Sequence, residues 1–493
     1  MAELGTHADT KPQAATPPDA RDEGAAPQVT PEITQQDAKI EGVAAAAQEA
    51  TAALRALVDR VRPFVRVPAV PDVVPGAYDE VEGLKAPLLA ADGAAALAEA
   101  LAAAAGVATA DRALGCVVGM CVGDAVGAPL EFSQCCDGGQ EKGLRWVAAT
   151  NSYPGGEVNN FGLKRGQWTD DASMGLALAD SLLATGGFDG ADARIRWHLW
   201  WARGYANAFK YDGDGSKRSV GLGGNISRSL GALEPGERPP PAYEAPREDA
   251  GNGSVMRLGA VPVRYFRDMP GLKHAAMGSS RATHPGALAA ECCRFLAAVC
   301  ASAISWDDAA TGYAIADRPA QWLEEYADAY SASKYHADAP APAKAMRLLL
   351  AGDADPAVRP KEQCWAWRSA QLPILATMDA RGPRYNGYPN TAGYFGSFCM
   401  DAVAIALHCV HATTSFVDAV ERCVNFRGDC DSTAAVCGQL AGAIYGRSAV
   451  PAPLLDQLRT WDRDEAALRA LLLWDAAHGT SAKKESLKRP RDE

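Results

Sequence analysis

Several familiar signatures are missing from this 493-residue chain. There is no GxGxxG turn and no GxxxxGK[ST] loop, so neither a dinucleotide fold nor a P-loop is expected. None of the 13 Cys falls in a CxxC pair, and their number is odd. That argues against a disulfide framework or a structural zinc and fits free thiols in a reducing compartment. Basic residues are the minority, 48 Lys+Arg against 60 Asp+Glu, giving a net charge of −12. A dedicated nucleic-acid binder would show a basic face instead. No apolar run reads as a membrane span; the longest candidate, residues 88–107, is broken by Asp92 and Glu99. The acidic N-terminus has no basic start followed by an apolar core, which argues against a signal or transit peptide. Strand signals are sparse, with little strict alternation of apolar and polar residues.

What is present divides into three stretches. Residues 1–108 read as a low-complexity, Ala/Pro-rich extension, partly disordered and partly helical. Within it, residues 1–37 have almost no large apolar side chain and are expected to be disordered. Asp37–Arg62 and Ala90–Val107 are Ala-rich and expected to be helical with low packing power, and Pro63–Pro87 reads as an extended linker. Near Asp111 the composition becomes globular. Residues 109–478 are expected to form one compact, multi-helix, all-α domain, with helices over Trp168–Ala184, Leu288–Ala303, Ser397–His411 and Ser432–Tyr445. Asp307–Lys361 reads as an insertion and Pro235–Glu248 as a Pro-rich loop. Residues 479–493 form a charged tail whose Lys483, Lys484, Lys488, Arg489 and Arg491 suit either a solvated end or a nuclear-import patch. The expected location is cytoplasmic, with the nucleus as second.

Three short segments concentrate Gly and carboxylates: Gly119 to Glu131, Gly166 to Asp171, and Asn425 to Thr433. Taken alone, Thr169-Asp170-Asp171 and Asp429-Cys430-Asp431-Ser432 each read as a capped helix start, with acids favoured by the helix dipole. Taken together they place four carboxylates and two hydroxyls at helix starts far apart in sequence. If those starts converge, cations must offset the repulsion. Oxygen donors without His or Cys suit Mg²⁺ or Mn²⁺ rather than zinc, and two such ions can activate a water. Cys423, Cys430 and Cys437 recur every seven residues, but buried thiols in apolar surroundings explain them better. Trp197, Trp200 and Trp201 likewise read first as core.

In order along the chain, the motifs resemble those of the ADP-ribosylglycohydrolases, the family of the dinitrogenase-reductase-activating glycohydrolase. The resemblance runs from about Asp111 to Arg447. It rests on Gly119-x-x-x-Gly123-Asp124-x-x-Gly127-x-x-x-Glu131, Trp168-Thr169-Asp170-Asp171, Gly251-Asn252-Gly253-Ser254-Val255-Met256-Arg257, Thr283-His284-Pro285, and Asn425 to Thr433 with Gly442 to Gly446. Arg427 replaces the first Gly of the usual last motif and Cys430 its middle Thr, a position that is not a ligand. The resemblance implies an all-α fold with a binuclear site and an enzyme that cleaves the glycosidic bond joining ADP-ribose to a protein side chain or small molecule. Its partner would be an ADP-ribose-bearing substrate, with no nucleic acid and no membrane. By position, Thr169, Asp170, Asp171, Asp429, Asp431 and Ser432 would hold two Mg²⁺ or Mn²⁺. Glu131, Asp170 and Asp431 would be the catalytic carboxylates. Gly223, Gly224, Gly251, Asn252, Gly253 and His284 would face the ADP-ribose. Two alternatives are an inactive ADP-ribose reader and an unrelated two-metal phosphoesterase.

Overall fold

In the computed structural model, the described residues are 31–77, 79–138, 143–213, 218–246, 250–334, 340–353, 355–385, 388–389 and 394–486. The expected disorder of residues 1–37 and the basic tail fall largely outside them, as do the side chains of residues 480–493. The chain divides into two units, Met1–Ala46 and Ala47–Glu493; the site lies wholly within the second.

The all-α expectation holds. In order, helices run over Pro31–Val61 (α1), Ala94–Ala104 (α2), Ala108–Gly127 (α3), Asp170–Thr185 (α4), Gly190–Arg203 (α5) and Gly224–Gly231 (α6). There follow Ala260–Tyr265 (α7), Met269–Arg281 (α8), Ala287–Ile304 (α9), Asp308–Thr311 (α10), Pro319–Lys334 (α11) and Ala341–Ala351 (α12). The last six are Ile374–Arg381 (α13), Cys399–His411 (α14), Phe416–Val424 (α15), Cys430–Tyr445 (α16), Ala452–Asp462 (α17) and Glu465–Ser486 (α18). Among the described residues the strands are one two-residue pair, Arg384–Tyr385 with Tyr388–Pro389.

The centre of the second unit is a seam between α3 and α16. Gly115, Gly119, Gly123 and Gly127 repeat every four residues and so lie along one face of α3. A Cβ at Gly115 or Gly119 would collide with the carbonyl of Gly442 or Gly438, and one at Gly123 with that of Ala434. At Gly127 it would stand 2.5 Å from the Cα of Asp431. Reciprocally, a Cβ at Gly438 or Gly442 would meet the carbonyls of Gly119 and Gly115. Only glycine lets the two backbones approach this closely, and the contact runs up to the first turn of α16, where the acids sit.

α3 with its continuation (108–130) and α9 are long and apolar enough to cross a membrane by composition, contrary to the sequence reading. All of the first and 72% of the second are buried inside the unit, so they serve as its core helices. α4 is tied to α18 by a buried ion pair, Arg469 to both oxygens of Asp180 at 2.8 and 2.9 Å. All 13 Cys are free and buried.

The compact unit begins well before the composition changes. Leu54, Val58 and Val61 of α1 are buried in the common core, as are Leu97 and Leu101 of α2. Arg55 and Arg62 both pair with Asp475 of α18. The stretch read as a linker is pinned instead: Arg66 N–H donates to the Leu88 carbonyl at 2.7 Å, Leu88 N–H donates to Glu465 at 2.7 Å, and Val74, Leu84 and Leu88 are buried. The Asp307–Lys361 insertion carries α10 to α12.

Candidate functional site

The acidic segments converge. Asp170 and Asp171 form the first turn of α4, Asp429 and Asp431 stand at the start of α16, and Asp124 lies in the last turn of α3 with Glu131 just beyond it. Asp124, Asp171 and Asp431 each bring a carboxylate oxygen within 4.8 Å of the others, and so do Glu131, Asp429 and Asp431. Asp431 belongs to both groups and all five residues are buried.

The capping explanation for Thr169 fails on geometry. Its side chain accepts no hydrogen bond from the helix it precedes. The cap comes from α3 instead: Asp124 Oδ1 accepts from Thr169 N–H at 2.9 Å, and Asp124 Oδ2 accepts from Ala172 N–H at 2.9 Å. The Thr169 hydroxyl faces three carboxylate oxygens, on Asp124 at 2.9 Å, Asp171 at 3.0 Å and Asp431 at 3.4 Å. It has one proton to offer them. Glu131 Oε2 and Asp171 Oδ1 are buried without a partner. No Lys or Arg among the described residues forms an ion pair with any of the six carboxylates. Buried acids in this condition hold protons or a cation. Burial, with hydrogen bonds partly opposing it, pushes Asp124 up to about 6. Burial and the neighbouring Asp429 push Glu131 up to about 8. Burial followed by the other acids drives Asp170, Asp171 and Asp431 well above the carboxylate range. Asp429 is raised by burial too, but the Asn252 amide opposes the shift. The donor set is all oxygen and hard, as a divalent cation such as Mg²⁺ or Mn²⁺ requires.

The acids form the floor of a cleft of about 710 Å³. Glu131, Asp170, Asp429, Asp431 and Ser432 line it, whereas Thr169, Asp171 and Asp124 lie beneath. All six residues expected to face a nucleotide also line it: Gly223, Gly224, Gly251, Asn252, Gly253 and His284. Asn252 does more than line. Its amide donates to Asp429 Oδ2 at 2.9 Å and to the Gly396 carbonyl at 3.1 Å, which fixes that carboxylate from the side. Gly221, at φ +90, passes so close to Asp170 Oδ1 that no side chain fits between them.

Three features escaped the sequence reading. Asp124 stands within the first motif, where the sequence alone gives it no role. Tyr394, whose hydroxyl donates to Glu131 Oε1 at 3.2 Å, carried no motif signal. Phe132, Phe161 and Trp201 line the mouth; Phe132 holds φ +64, stacks on Tyr394 at 5.5 Å and is 48% exposed. Trp197 and Trp200 are core, as read; Trp201 is not.

The family model described as ADP-ribosylglycohydrolase matches residues 105–482. The chain is 28% identical over 335 residues to the ADP-ribosylarginine hydrolase Tri1 of Pseudomonas putida, covering 67% of this chain and 70% of that one. It is 25% identical to the ADP-ribosyl-[dinitrogen reductase] glycohydrolase of Rhodospirillum rubrum, over 69% of this chain and 87% of that one. A solved structure described as an ADP-ribosylglycohydrolase-related protein complex superimposes with a TM-score of 0.50 and 25% identity, over 75% of this chain and 99% of that chain. Fold, motif order and relatives agree: the chain belongs to the ADP-ribosylglycohydrolase family of glycosidic-bond hydrolases.

Proposed function

We propose that the protein hydrolyses the N-glycosidic bond between ADP-ribose and an arginine side chain, with two Mg²⁺ or Mn²⁺ held by Thr169, Asp170, Asp171, Asp429, Asp431 and Ser432. The observation that carries this reading is the convergence of buried carboxylates at the cleft with no Lys or Arg paired to them among the described residues. When bound, hard divalent cations lower the pKa of a coordinated water and orient the hydroxyls of the distal ribose. Water adds its oxygen to the anomeric carbon, and its proton ends on the departing guanidine nitrogen, giving free ADP-ribose and arginine. An acidic floor without Lys or Arg also suits a cationic guanidinium as the acceptor, and the Pseudomonas relative bears the name of an arginine-linkage hydrolase.

The chain's own groups divide the work. Glu131 is placed to move the proton: it lines the cleft, its second oxygen has no partner, and Tyr394 fixes the first. The glycosidic transition state gathers positive charge on the ring, and Asp170 and Asp431 stand in the floor beneath it. Asn252 holds Asp429 against rotation. Backbone at Gly223, Gly224 and Gly251–Gly253 lets a diphosphate approach without side-chain obstruction.

The test is release of free ADP-ribose from arginine-linked and serine-linked ADP-ribosyl peptides and from acetyl-ADP-ribose, with Mg²⁺, Mn²⁺ or chelator. Cation-dependent release from the arginine peptide, lost in Asp429→Ala with Asp431→Ala, is expected. Release from another member alone would reassign the bond, and binding of ADP-ribose without release from any would make the protein a reader.

A further inference from the structure

Behind the cleft wall lies a buried arginine that forms no ion pair among the described residues, although the charge of Asp170 reaches it. Arg257 is fully buried, its guanidinium stacks 3.8 Å over the Trp197 ring, and its Nε has no partner. Burial pushes its pKa down to about 9, so it remains charged at neutral pH. Arg257 Nη2 donates to the Ser279 carbonyl at 3.0 Å and to Thr283 Oγ1 at 2.6 Å. Thr283 Oγ1 in turn lies 2.8 Å from His284 Nδ1.

The polarity of this chain follows from its first member. A guanidinium only donates, so Thr283 Oγ1 must accept from it. The hydroxyl keeps its own proton, and among the described residues the one acceptor within reach is His284 Nδ1. That nitrogen must therefore be bare, and the ring's proton must sit on Nε2. His284 is among the residues that line the cleft, and its Nε2 edge lies against Gly253, another of them. A Cβ built on Gly253 would stand 3.2 Å from His284 Nε2, 3.1 Å from its Cε1 and 3.1 Å from Ile226 Cδ1. Ile226 belongs to the first turn of α6, whose leading N–H groups have no helical acceptor. The imidazole and this helix start thus meet at one glycine. Burial and the charge of Arg257 oppose protonation of the ring, which stays neutral through the working range.

We infer that Arg257 and Thr283 are positioning residues: they lock His284, which the family resemblance already sets against the ADP-ribose, as a neutral Nε2–H donor at the cleft wall. The ligand half of this inference rests on the function proposed above; the tautomer half does not.

Nitrogen-15 histidine spectra of the full-length protein test it, with His284→Gln identifying the resonances. The expected pattern is a protonated Nε2 and a bare Nδ1, unchanged from pH 5 to 8. In Thr283→Val the lock is lost and the pattern becomes that of exchanging tautomers, while Thr283→Ser keeps it. Calorimetric Kd for ADP-ribose should weaken about tenfold in Thr283→Val, the loss of about one hydrogen bond, and return in Thr283→Ser. A proton on Nδ1 in the wild type overturns the inference even if no variant is soluble. So does a Thr283→Val protein with an unchanged pattern. Absence of ADP-ribose binding by the wild type would instead overturn the functional reading and leave the tautomer result standing.

Discussion

Asp431 contributes an oxygen to both acid groups, so one isosteric change should disable both. In Asp431→Asn the amide oxygen can still accept from Ser432 N–H, which bonds Asp431 Oδ1 at 2.8 Å, and the helix start is preserved. The charge is lost. A cation that binds only the folded protein stabilises it by about 2.7 kcal/mol per site at a free concentration of 100 Kd. Unfolding entropy of about 2.1 cal/mol/K per residue, over ~450 residues of the second unit, gives roughly 0.9 kcal/mol/K. Each filled site should therefore raise Tm by about 3 °C, and two by about 6 °C. In calorimetric scans with Mn²⁺ or chelator, the wild type should show that rise and Asp431→Asn should show almost none. The chelated variant should also melt at or above the chelated wild type, because the folded state no longer bears the cost of keeping Asp431 buried among other acids, whether charged or protonated. A full Mn²⁺ shift in Asp431→Asn would refute the shared-ligand geometry, and a lower chelated Tm would refute the claim that the acids repel.

Acid should stabilise the chelated protein. The folded state holds Asp124 up to about 6 and Glu131 up to about 8, so it keeps protons that the unfolded chain releases near 4. That stability is present in acid and is lost as pH rises through those folded values; chelated melting scans from pH 4.5 to 9 should fall, and Glu131→Gln should flatten the fall above pH 7. Gly442→Ala places a methyl into the Gly115 carbonyl and should cost at least about 3 kcal/mol by urea unfolding, whereas Gly231→Ala, with nothing within 4 Å, should be near neutral. Deleting residues 1–104 removes buried Leu54, Val58, Val61, Leu97 and Leu101 and should abolish cooperative unfolding. Asn252→Ala frees Asp429 and should lower kcat/KM by about 10- to 100-fold in the ADP-ribose release assay.

The sequence carried the helical class and the order of the motifs, because glycine spacing and acids at helix starts are local features. It did not carry the meeting of those starts. Thr169-Asp170-Asp171 has the same letters as a capped helix whether or not Asp124 approaches from α3. Only the three-dimensional arrangement shows Asp124 capping α4 and leaving the Thr169 hydroxyl to the acids. The glycines of α3 and Gly442 are legible as motifs, but their pairing, and Gly438 altogether, gain meaning only once the helices pack. The N-terminal stretch misled for another reason. Leu54, Val58 and Val61 form a narrow stripe at helical spacing, diluted by the Ala and charged residues around it. An average over composition hides such a stripe, although three buried side chains and two arginines on Asp475 suffice to join it to the core.

The seam also bears on cation affinity. Two carboxylates within 4.8 Å repel by about 3 kcal/mol at an effective dielectric constant of 20. Flexible acids would relieve this by moving apart. Here Gly127 presses against the Asp431 backbone, Asp124 is bonded to the first turn of α4, and Asn252 holds Asp429, so the groups cannot separate. Two ways of relief remain, protons or cations, and they compete for the same oxygens. Cation affinity should therefore rise with pH until the last of the acids has lost its proton. The divalent-ion dependence proposed above would then be traceable to four glycines spaced every four residues on a helix that contributes just one of the acids.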